Sequence, residues 1–169
     1  KYLLEQNVFG ENDQVIVPDS GNSTGDFVEV VEKSILWVKF IIKGRQAHAG
    51  RPHRGLNAER IGSELSVKLD KNLHKKFAEE DPMFEPEYST FEPTLREMNS
   101  KSVSTIPGTV NLTFDCRILP KYDIEEVLEY IEVLKERIRS KFSVKIEKQV
   151  IQKEQAPKGT EKNSKIVRK

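Results

Sequence analysis

The stretch SILWVKFIIKG, residues 34–44, decides the fold class, because its side chains alternate between two faces. Successive side chains of a strand point to opposite sides, so every second residue shares a face. One face carries Leu36, Val38, Phe40 and Ile42, and the other carries Ile35, Trp37 and Ile41. A strand with two apolar faces is typical of a packed sheet, and we expect another domain or subunit to cover the second face.

Two segments carry apolar side chains at every third or fourth position, as the buried face of a helix does. The first covers residues 57–80, with Asn57 as its N-cap and Pro82 as the residue that stops it. The second covers residues 123–141 and begins at Asp123, followed by two glutamates that suit a helix N-terminus. The sequence therefore predicts two amphipathic helices.

Three further segments predict strands, and TVNLTFDCRIL at 109–119 alternates most clearly. Residues 87–98 predict a strand interrupted near Pro93, residues 143–152 predict the last strand, and residues 100–108 predict a loop. The inward side chains of the alternating segment are Val110, Leu112, Phe114, Cys116 and Ile118. The order βαββαβ predicts a ferredoxin-like α/β sandwich, with two helices on one face of a four-stranded antiparallel sheet.

Composition excludes several classes of function. The net charge of the 169 residues is only +1, which gives no argument for nucleic acid or an anionic membrane as a partner. The second face of 109–119 carries no aromatic residue on which RNA bases could stack. No apolar run reaches the length of a membrane span. The single cysteine cannot form an internal disulfide and suits a reducing compartment, so we expect a cytoplasmic protein.

Two histidines stand five residues apart in GRQAHAGRPHRGLNA, residues 44–58. Their spacing matches no compact zinc motif, and a zinc site needs several ligands brought together. His48 and His53 are therefore either ordinary loop residues or parts of a binding or catalytic site. The residues alone favour the ordinary loop reading.

Asp19 and Arg117 are the other candidate site residues. Asp19 lies in VPDSG, directly after a short apolar stretch, where a carboxylate either serves a function or closes an Asx-turn. Arg117 shares a strand face with Asp115, and its guanidinium suits a planar carboxylate ligand. An exposed cross-strand ion pair is the simpler interpretation of that arginine.

Together, the motifs KGRQAHAGRPHRGLNA (43–58), STIPG (104–108) and FDCRILP (114–120) resemble the lid, or dimerisation, domain of a metallopeptidase family. That family includes succinyl-diaminopimelate desuccinylase, acetylornithine deacetylase, aminoacylases and dinuclear-zinc carboxypeptidases. The resemblance covers about residues 15–169 and is nearest to the archaeal desuccinylase-like branch.

The resemblance implies a division of the chain into three parts. Residues 1–26 would be the end of the first catalytic-domain segment, residues 27–151 the lid, and residues 152–169 the start of the returning catalytic segment. It also implies a catalytic domain that holds two zinc ions, or cobalt in their place. On this interpretation the chain is a fragment of a longer protein.

The resemblance also assigns roles to four residues. Asp19 matches the position of an acidic metal ligand. His48 matches the lid histidine that reaches the partner subunit's active site, where it holds the substrate or the oxyanion. Arg117 matches an arginine near the substrate carboxylate. Ser104 stands where the family usually has a substrate-contacting asparagine, and its side chain has a shorter reach.

We therefore expect a fragment of a zinc-dependent hydrolase that cleaves the amide bond of N-acyl amino acids or small peptides. The fragment would supply substrate capping and homodimerisation, and would itself be inactive. The alternatives are a free-standing, non-enzymatic module for dimerisation or small-ligand binding, and an inactive relative of the enzyme. Neither nucleic acid nor a membrane is an expected partner.

Overall fold

The computed structural model describes residues 28–168 without a gap, together with residues 5, 6, 8–10, 13, 15–17, 21 and 23–25. The chain divides into two compact units, one formed by Glu32–Pro157 and the other by the segments on either side. In the smaller unit the backbone N–H of Thr160 donates to the carbonyl of Val30 at 2.7 Å. The larger unit contains all the helices and strands discussed below.

The larger unit is an α+β sandwich, as the sequence predicts. Its elements are β1 (Ser34–Lys43), β2 (Ala47–His48), α1 (Ala58–Lys76), β3 (Thr90–Met98), β4 (Thr105–Ile106), β5 (Thr109–Ile118), α2 (Ile124–Phe142) and β6 (Lys145–Glu154). The main sheet has the order β3-β5-β1-β6, and all neighbours are antiparallel. No helix in the described chain has the length and apolar character that crossing a membrane requires.

One hydrophobic core lies between the sheet and the two helices. The inward residues predicted for β1 and β5 are all buried, and the apolar stripes of α1 and α2 belong to the same cluster. Phe40 and Phe114 meet edge to face at the centre, with ring centroids 6.3 Å apart. Because both strands contribute every second side chain, their register is fixed by burial. The predicted core is therefore confirmed.

Both predicted N-caps are confirmed. The side-chain oxygen of Asn57 accepts from the backbone N–H of Glu59 at 3.0 Å, and that of Asp123 accepts from Glu125 at 2.9 Å. The prediction that the first helix runs to residue 80 is wrong, because α1 ends at Lys76. The backbone of Glu80 forms a β-bridge outside the helix, which helical dihedrals do not allow.

Two further predictions about β-structure are decided by the sheet register. The interruption near Pro93 is confirmed, since the pairing of β3 with β5 shifts between Pro93 and Leu95. The prediction that residues 100–108 form only a loop is wrong. Thr105–Ile106 forms β4, which pairs with β2 as a separate two-stranded ladder. Two residues are too few to show any hydrophobic period, so the sequence pattern could not reveal this ladder.

Candidate functional site

The segment that carries His48 is a loop closed at its base by backbone contacts. We call residues 45–56 the His48 loop. Arg45 and Leu56 exchange two backbone hydrogen bonds of 2.8 Å, and the N–H of Gly44 donates to the carbonyl of Gly108 at 2.8 Å. A Cβ on Gly44 would lie 2.2 Å from the carbonyl oxygen of Leu56, so only glycine fits this closure. The loop therefore leaves the sheet at a fixed point.

The backbone around His48 is held from both sides. His48 pairs with Thr105 in the β2–β4 ladder, and the N–H of Ala49 donates to the carbonyl of Ser104 at 2.6 Å. The carbonyl of His48 accepts from the N–H of Arg51 at 2.8 Å, which closes a turn. These contacts bring together the two chain segments that carry His48 and Ser104.

The His48 side chain itself is exposed. Its Nδ1 atom lies 3.1 Å from the backbone nitrogen of Gly50, which donates to it. His53 is also exposed and lies in a single 3-10 turn, Pro52–Arg54. The two histidines therefore sit in different surroundings, and only His48 is fastened to the β2–β4 ladder.

The neighbouring serine-rich segment, residues 99–104, is anchored by the side chains of Asn99 and Ser100. The Asn99 Oδ1 accepts from the backbone N–H groups of Gly108 and Thr109, both at 3.0 Å. The Ser100 hydroxyl lies 3.0 Å from the carbonyl of Thr105, to which it donates. We call residues 99–104 the serine loop, and these contacts fix its two ends.

The tip of the serine loop lies beside His48 and is open to solvent. The Ser104 hydroxyl lies 3.0 Å from that of Ser102, and both side chains belong to exposed residues. Val103 is fully exposed between them. A single exposed aliphatic residue is ordinary on a protein surface, so the exposure of Val103 does not by itself indicate a binding partner.

The charged residues of the segment that carries His48 are all of one sign. Residues 44–58 contain three arginines, Arg45, Arg51 and Arg54, and no aspartate or glutamate. Within the part of the chain that the structure describes, none of the three takes part in an ion pair. Arginines without a carboxylate partner suit an anion, and a carboxylate accepts two parallel hydrogen bonds from a guanidinium.

Arg117 lies elsewhere. Its Nε and terminal nitrogen donate to both carboxylate oxygens of Asp115, at 2.7 and 3.0 Å, so the ion pair forms within β5 and not across strands as predicted. It stands near the end of β5 that is remote from Thr109, where the loops begin. Eight residues of strand separate the two positions by roughly 27 Å. The structure therefore does not bring Arg117 together with His48.

Asp19 lies outside the described residues, so its surroundings are not part of the site as it stands. Among the described residues, no group of three or more His, Cys, Asp or Glu side chains lies close enough to hold a metal ion. Cys116 is buried, and burial with the nearby Asp115 raises the pKa of its thiol to about 12. It is therefore neither a metal ligand nor a nucleophile.

Three features of this site escape the sequence pattern. The β2–β4 ladder, the Asn99 anchor and the contact from Gly50 to His48 all depend on backbone atoms that distant segments bring together. The only local signals are an asparagine at the start of a serine-rich stretch and a glycine two residues after a histidine. Both residue types are common in turns and would not single out a site.

The segment that carries these loops matches a known protein family. The family model described as the peptidase dimerisation domain, M20_dimer, matches residues 30–141, which contain the whole His48 loop and the serine loop. The chain belongs to this M20 family. The resemblance that the three motifs carry is thereby confirmed.

Relatives of this M20 chain are named as metal-dependent hydrolases. An uncharacterised metallohydrolase of Methanocaldococcus jannaschii is 44% identical over 179 residues, covering 99% of this chain and 44% of the relative. A succinyl-diaminopimelate desuccinylase of Phenylobacterium zucineum is 25% identical over 130 residues, covering 76% of this chain and 33% of that enzyme. The chain thus spans less than half the length of these relatives.

Solved structures share the M20 fold. A hydantoinase/carbamoylase family amidase from Burkholderia phymatum superposes with a TM-score of 0.63 at 15% identity, over 75% of this chain and 30% of that one. At such low identity the likeness concerns the fold alone. It agrees with the ferredoxin-like sandwich read from the sequence and seen in the sheet order.

Proposed function

We propose that this chain is the substrate-capping and dimerisation part of a metal-dependent hydrolase that cleaves an amide bond of N-acyl amino acids or small peptides. The observation that carries the proposal is His48, an exposed imidazole on a loop whose backbone is fixed on both sides. A donor held in place before reaction stabilises a developing oxyanion without reorganisation. Relatives named as metallohydrolases, a desuccinylase and a deacetylase support this reading.

The charge of the His48 loop supports a substrate that carries a carboxylate. Arg51 and Arg54 are exposed and have no acidic residue within the loop to neutralise them. Val103 stands at the adjacent tip and would contact an apolar part of the substrate. A succinyl group, with its own carboxylate, fits this cationic surface better than an acetyl group. Ser104 would contact the substrate through its hydroxyl, with a shorter reach than an asparagine.

Metal binding belongs to the rest of the protein. The described residues do not supply a metal site, and Asp19 is our single candidate ligand in the chain. The divalent metals we propose are two zinc ions, or cobalt in their place. We place the protein in the cytoplasm, where its one cysteine would stay reduced.

Arg117 has a separate place in the proposal. Asp115 takes the Nε–H and one terminal N–H of the guanidinium, so a substrate carboxylate would bind the remaining terminal donors or displace Asp115. Arg117 lies near one end of β5 and the loop that carries His48 lies beyond the other end. Within one chain the two residues would therefore not contact the same end of a small substrate. Any contact of Arg117 with substrate would therefore lie in another part of the cleft.

The partner would be a second copy of the chain, joined at an edge of the main sheet. The edge strand β6 carries three lysines, Lys145, Lys148 and Lys153, and lysine protects edges from pairing. The other edge strand, β3, has no lysine, and its protective devices, Pro93 and the adjoining shift in register, lie ahead of residues 95–98, which are left to pair. It exposes Leu95 and Met98, with 64% and 51% of their surfaces accessible. We therefore propose that β3 is the pairing edge.

The proposed reaction is tested on the full-length gene product. N-succinyl, N-acetyl and N-carbamoyl amino acids are assayed with added zinc or cobalt. We expect turnover by the full-length protein, none by residues 1–169 alone, and a loss of roughly 10²- to 10³-fold in kcat for His48→Ala. His53→Ala is the matched control and should retain its rate. Turnover by residues 1–169 alone, or a His48→Ala variant as fast as the unchanged enzyme, would contradict the proposal.

A mixing experiment tests whether His48 acts in the partner's site. Full-length His48→Ala and Asp19→Ala subunits are inactive alone on our reading. Mixed dimers would contain one site with both residues, so remixing the two variants should restore about a quarter of the activity. Equal mixing without any recovery would mean that His48 serves its own subunit or no site at all.

The pairing edge is tested by two matched substitutions and light scattering after size-exclusion chromatography. We expect the unchanged chain to be a dimer, Leu95→Lys on β3 to be a monomer, and Val150→Lys on β6 to remain a dimer. The reverse pattern would assign the interface to β6. A monomeric unchanged chain would rule out dimerisation through this domain.

A further inference from the structure

The hydrogen bond between Gly50 and His48 fixes which ring nitrogen carries the proton. The backbone nitrogen of Gly50 lies 3.1 Å from His48 Nδ1. A backbone N–H can only donate, so Nδ1 must present its lone pair. A neutral imidazole carries one proton, which in this geometry lies on Nε2.

Gly50 also limits where the ring can lie. A Cβ on this residue would stand 3.2 Å from His48 Nδ1 and 3.3 Å from Cε1, closer than most contacts of real Cβ atoms. The backbone of Gly50 is not in the left-handed region, so the reason for glycine is space rather than conformational freedom. Any larger residue would have to push the imidazole away from the amide.

The surrounding backbone leaves the ring little other freedom. Ala49 is bonded to Ser104, and Arg51 is bonded to the carbonyl of His48, so the main chain on both sides of Gly50 is fixed. The ring can then move only by rotation about its own two side-chain bonds. The Gly50 amide selects one of these rotations.

We propose that Gly50 is a positioning residue that holds neutral His48 as the Nε2–H tautomer, with that N–H presented as a donor to a carbonyl oxygen of the substrate. The catalytic consequence rests on the proposed function, since it requires His48 to contact substrate. The tautomer and its dependence on Gly50 concern the chain itself and do not rest on any activity.

His74 provides an internal reference with the opposite tautomer. Its Nδ1 lies 2.9 Å from the carbonyl oxygen of Asp70. A carbonyl can only accept, so this Nδ1 must carry the proton in the neutral ring. Within the part of the chain that the structure describes, no hydrogen bond holds the ring of His53, which is exposed in its turn. His74 and His53 therefore serve as internal references for the tautomer of His48.

The test is ¹⁵N NMR of the imidazole nitrogens in residues 1–169, at about pH 9, where histidine is ordinarily neutral. We expect His48 to show an unprotonated Nδ1 and a protonated Nε2, and His74 to show the reverse. In Gly50→Ala, His48 should shift toward the tautomer mixture of His53, while the His74 pattern stays unchanged and reports an intact fold. A protonated Nδ1 on His48, or a His48 spectrum that Gly50→Ala leaves untouched, would overturn the inference.

Kinetics of the full-length protein then separate the two proposals. Gly50→Ala should lower kcat by about tenfold or more with little change in KM. The double variant with His48→Ala should be no slower than His48→Ala alone, since both changes act through one group. If Gly50→Ala changes the tautomer but not kcat, the positioning inference stands and the proposed role of His48 in the reaction falls.

Discussion

Gly55 directly precedes Leu56, whose backbone closes the His48 loop with Arg45. We expect Gly55→Ala to destabilise the chain. The backbone there has φ −128° and ψ −173°, an extended conformation that any residue adopts. Space is the constraint, because a Cβ would lie 2.6 Å from the carbonyl oxygen of Arg45 and 2.7 Å from side-chain atoms of Ala47 and Ile106. The Ile106 side chain could rotate away, but the Arg45 oxygen accepts the backbone hydrogen bond from Leu56 that closes the loop.

The expected magnitude follows from these distances. Ordinary contacts of a Cβ begin at 3.4 Å, so the neighbours of a methyl group added at Gly55 would each have to move by about 0.7 Å. Overpacking of this kind costs about 1 to 3 kcal/mol. Gly62→Ala is the matched control within the interior of α1, because a Cβ there would make only ordinary contacts, with Val110 Cγ1 at 3.4 Å and Ile42 Cδ1 at 3.8 Å. Removing a glycine from a helix interior should stabilise by about 0.5 to 1 kcal/mol.

Urea denaturation followed by circular dichroism measures both variants. With a slope of about 2 kcal/mol per molar urea, Gly55→Ala should lower the midpoint by roughly 0.5 to 1.5 M, and Gly62→Ala should raise it slightly. The same chemical change, Gly to Ala, would thus shift the urea midpoint in opposite directions at the two positions. A Gly55→Ala midpoint equal to that of the unchanged chain would show that the loop base is loose, and the argument that it fixes His48 would fail.

Three further outcomes follow from other contacts. Because the thiol of Cys116 has its pKa raised from 9.0 to about 12 by burial and Asp115, the folded chain keeps a proton there that the unfolded chain loses. Stability should therefore fall between about pH 9 and 12, and Cys116→Ala should flatten that part of a stability profile measured by urea titration. Asn57→Ala should cost about 1 kcal/mol by removing the cap of α1, whereas Asn72→Ala, whose exposed amide only donates to the carbonyl of Lys68, should leave the urea midpoint nearly unchanged. Hydrogen bonds from Lys43 and Lys145 lower the pKa of Glu147 from 4.5 to about 2. Its contribution to the stability of the fold is therefore present above pH 4.5 and is lost as the pH falls toward 2. In a plot of melting temperature against pH, Glu147→Gln should make the acid side less steep, and added salt should do the same to the unchanged chain.

The sandwich could be read from the sequence because its pattern is local and repeated. In β1 every second residue is buried, and in α1 the buried residues recur along one face, so each segment reports its own structure. The end of α1 could not be read this way. Phe77 is apolar and in phase with the stripe, yet its ring packs against Phe91 and Tyr122 while the chain turns out of the helix.

The site was less accessible to such reasoning, because its geometry is made by contacts distant in the sequence. His48 pairs with Thr105, 57 positions further along the chain, and no pattern near either residue announces the pairing. The motifs identified His48 only through their resemblance to a family. What the structure adds is the physical part: an exposed ring, a fixed backbone and an amide on Nδ1.

The backbone and the side chain of Ser104, which stands where the family usually has asparagine, make different contacts. The carbonyl of Ser104, and not its side chain, receives the N–H of Ala49 and so sets the position of His48. Any residue at this place can supply that carbonyl, so the change to serine leaves the placement of the histidine intact. The side chain is a separate matter, because its hydroxyl lies against that of Ser102 and reaches less far from the loop. Under the proposed function, the departure would therefore bear on what the loop binds rather than on whether His48 is presented, and it would alter substrate choice more than it would abolish activity.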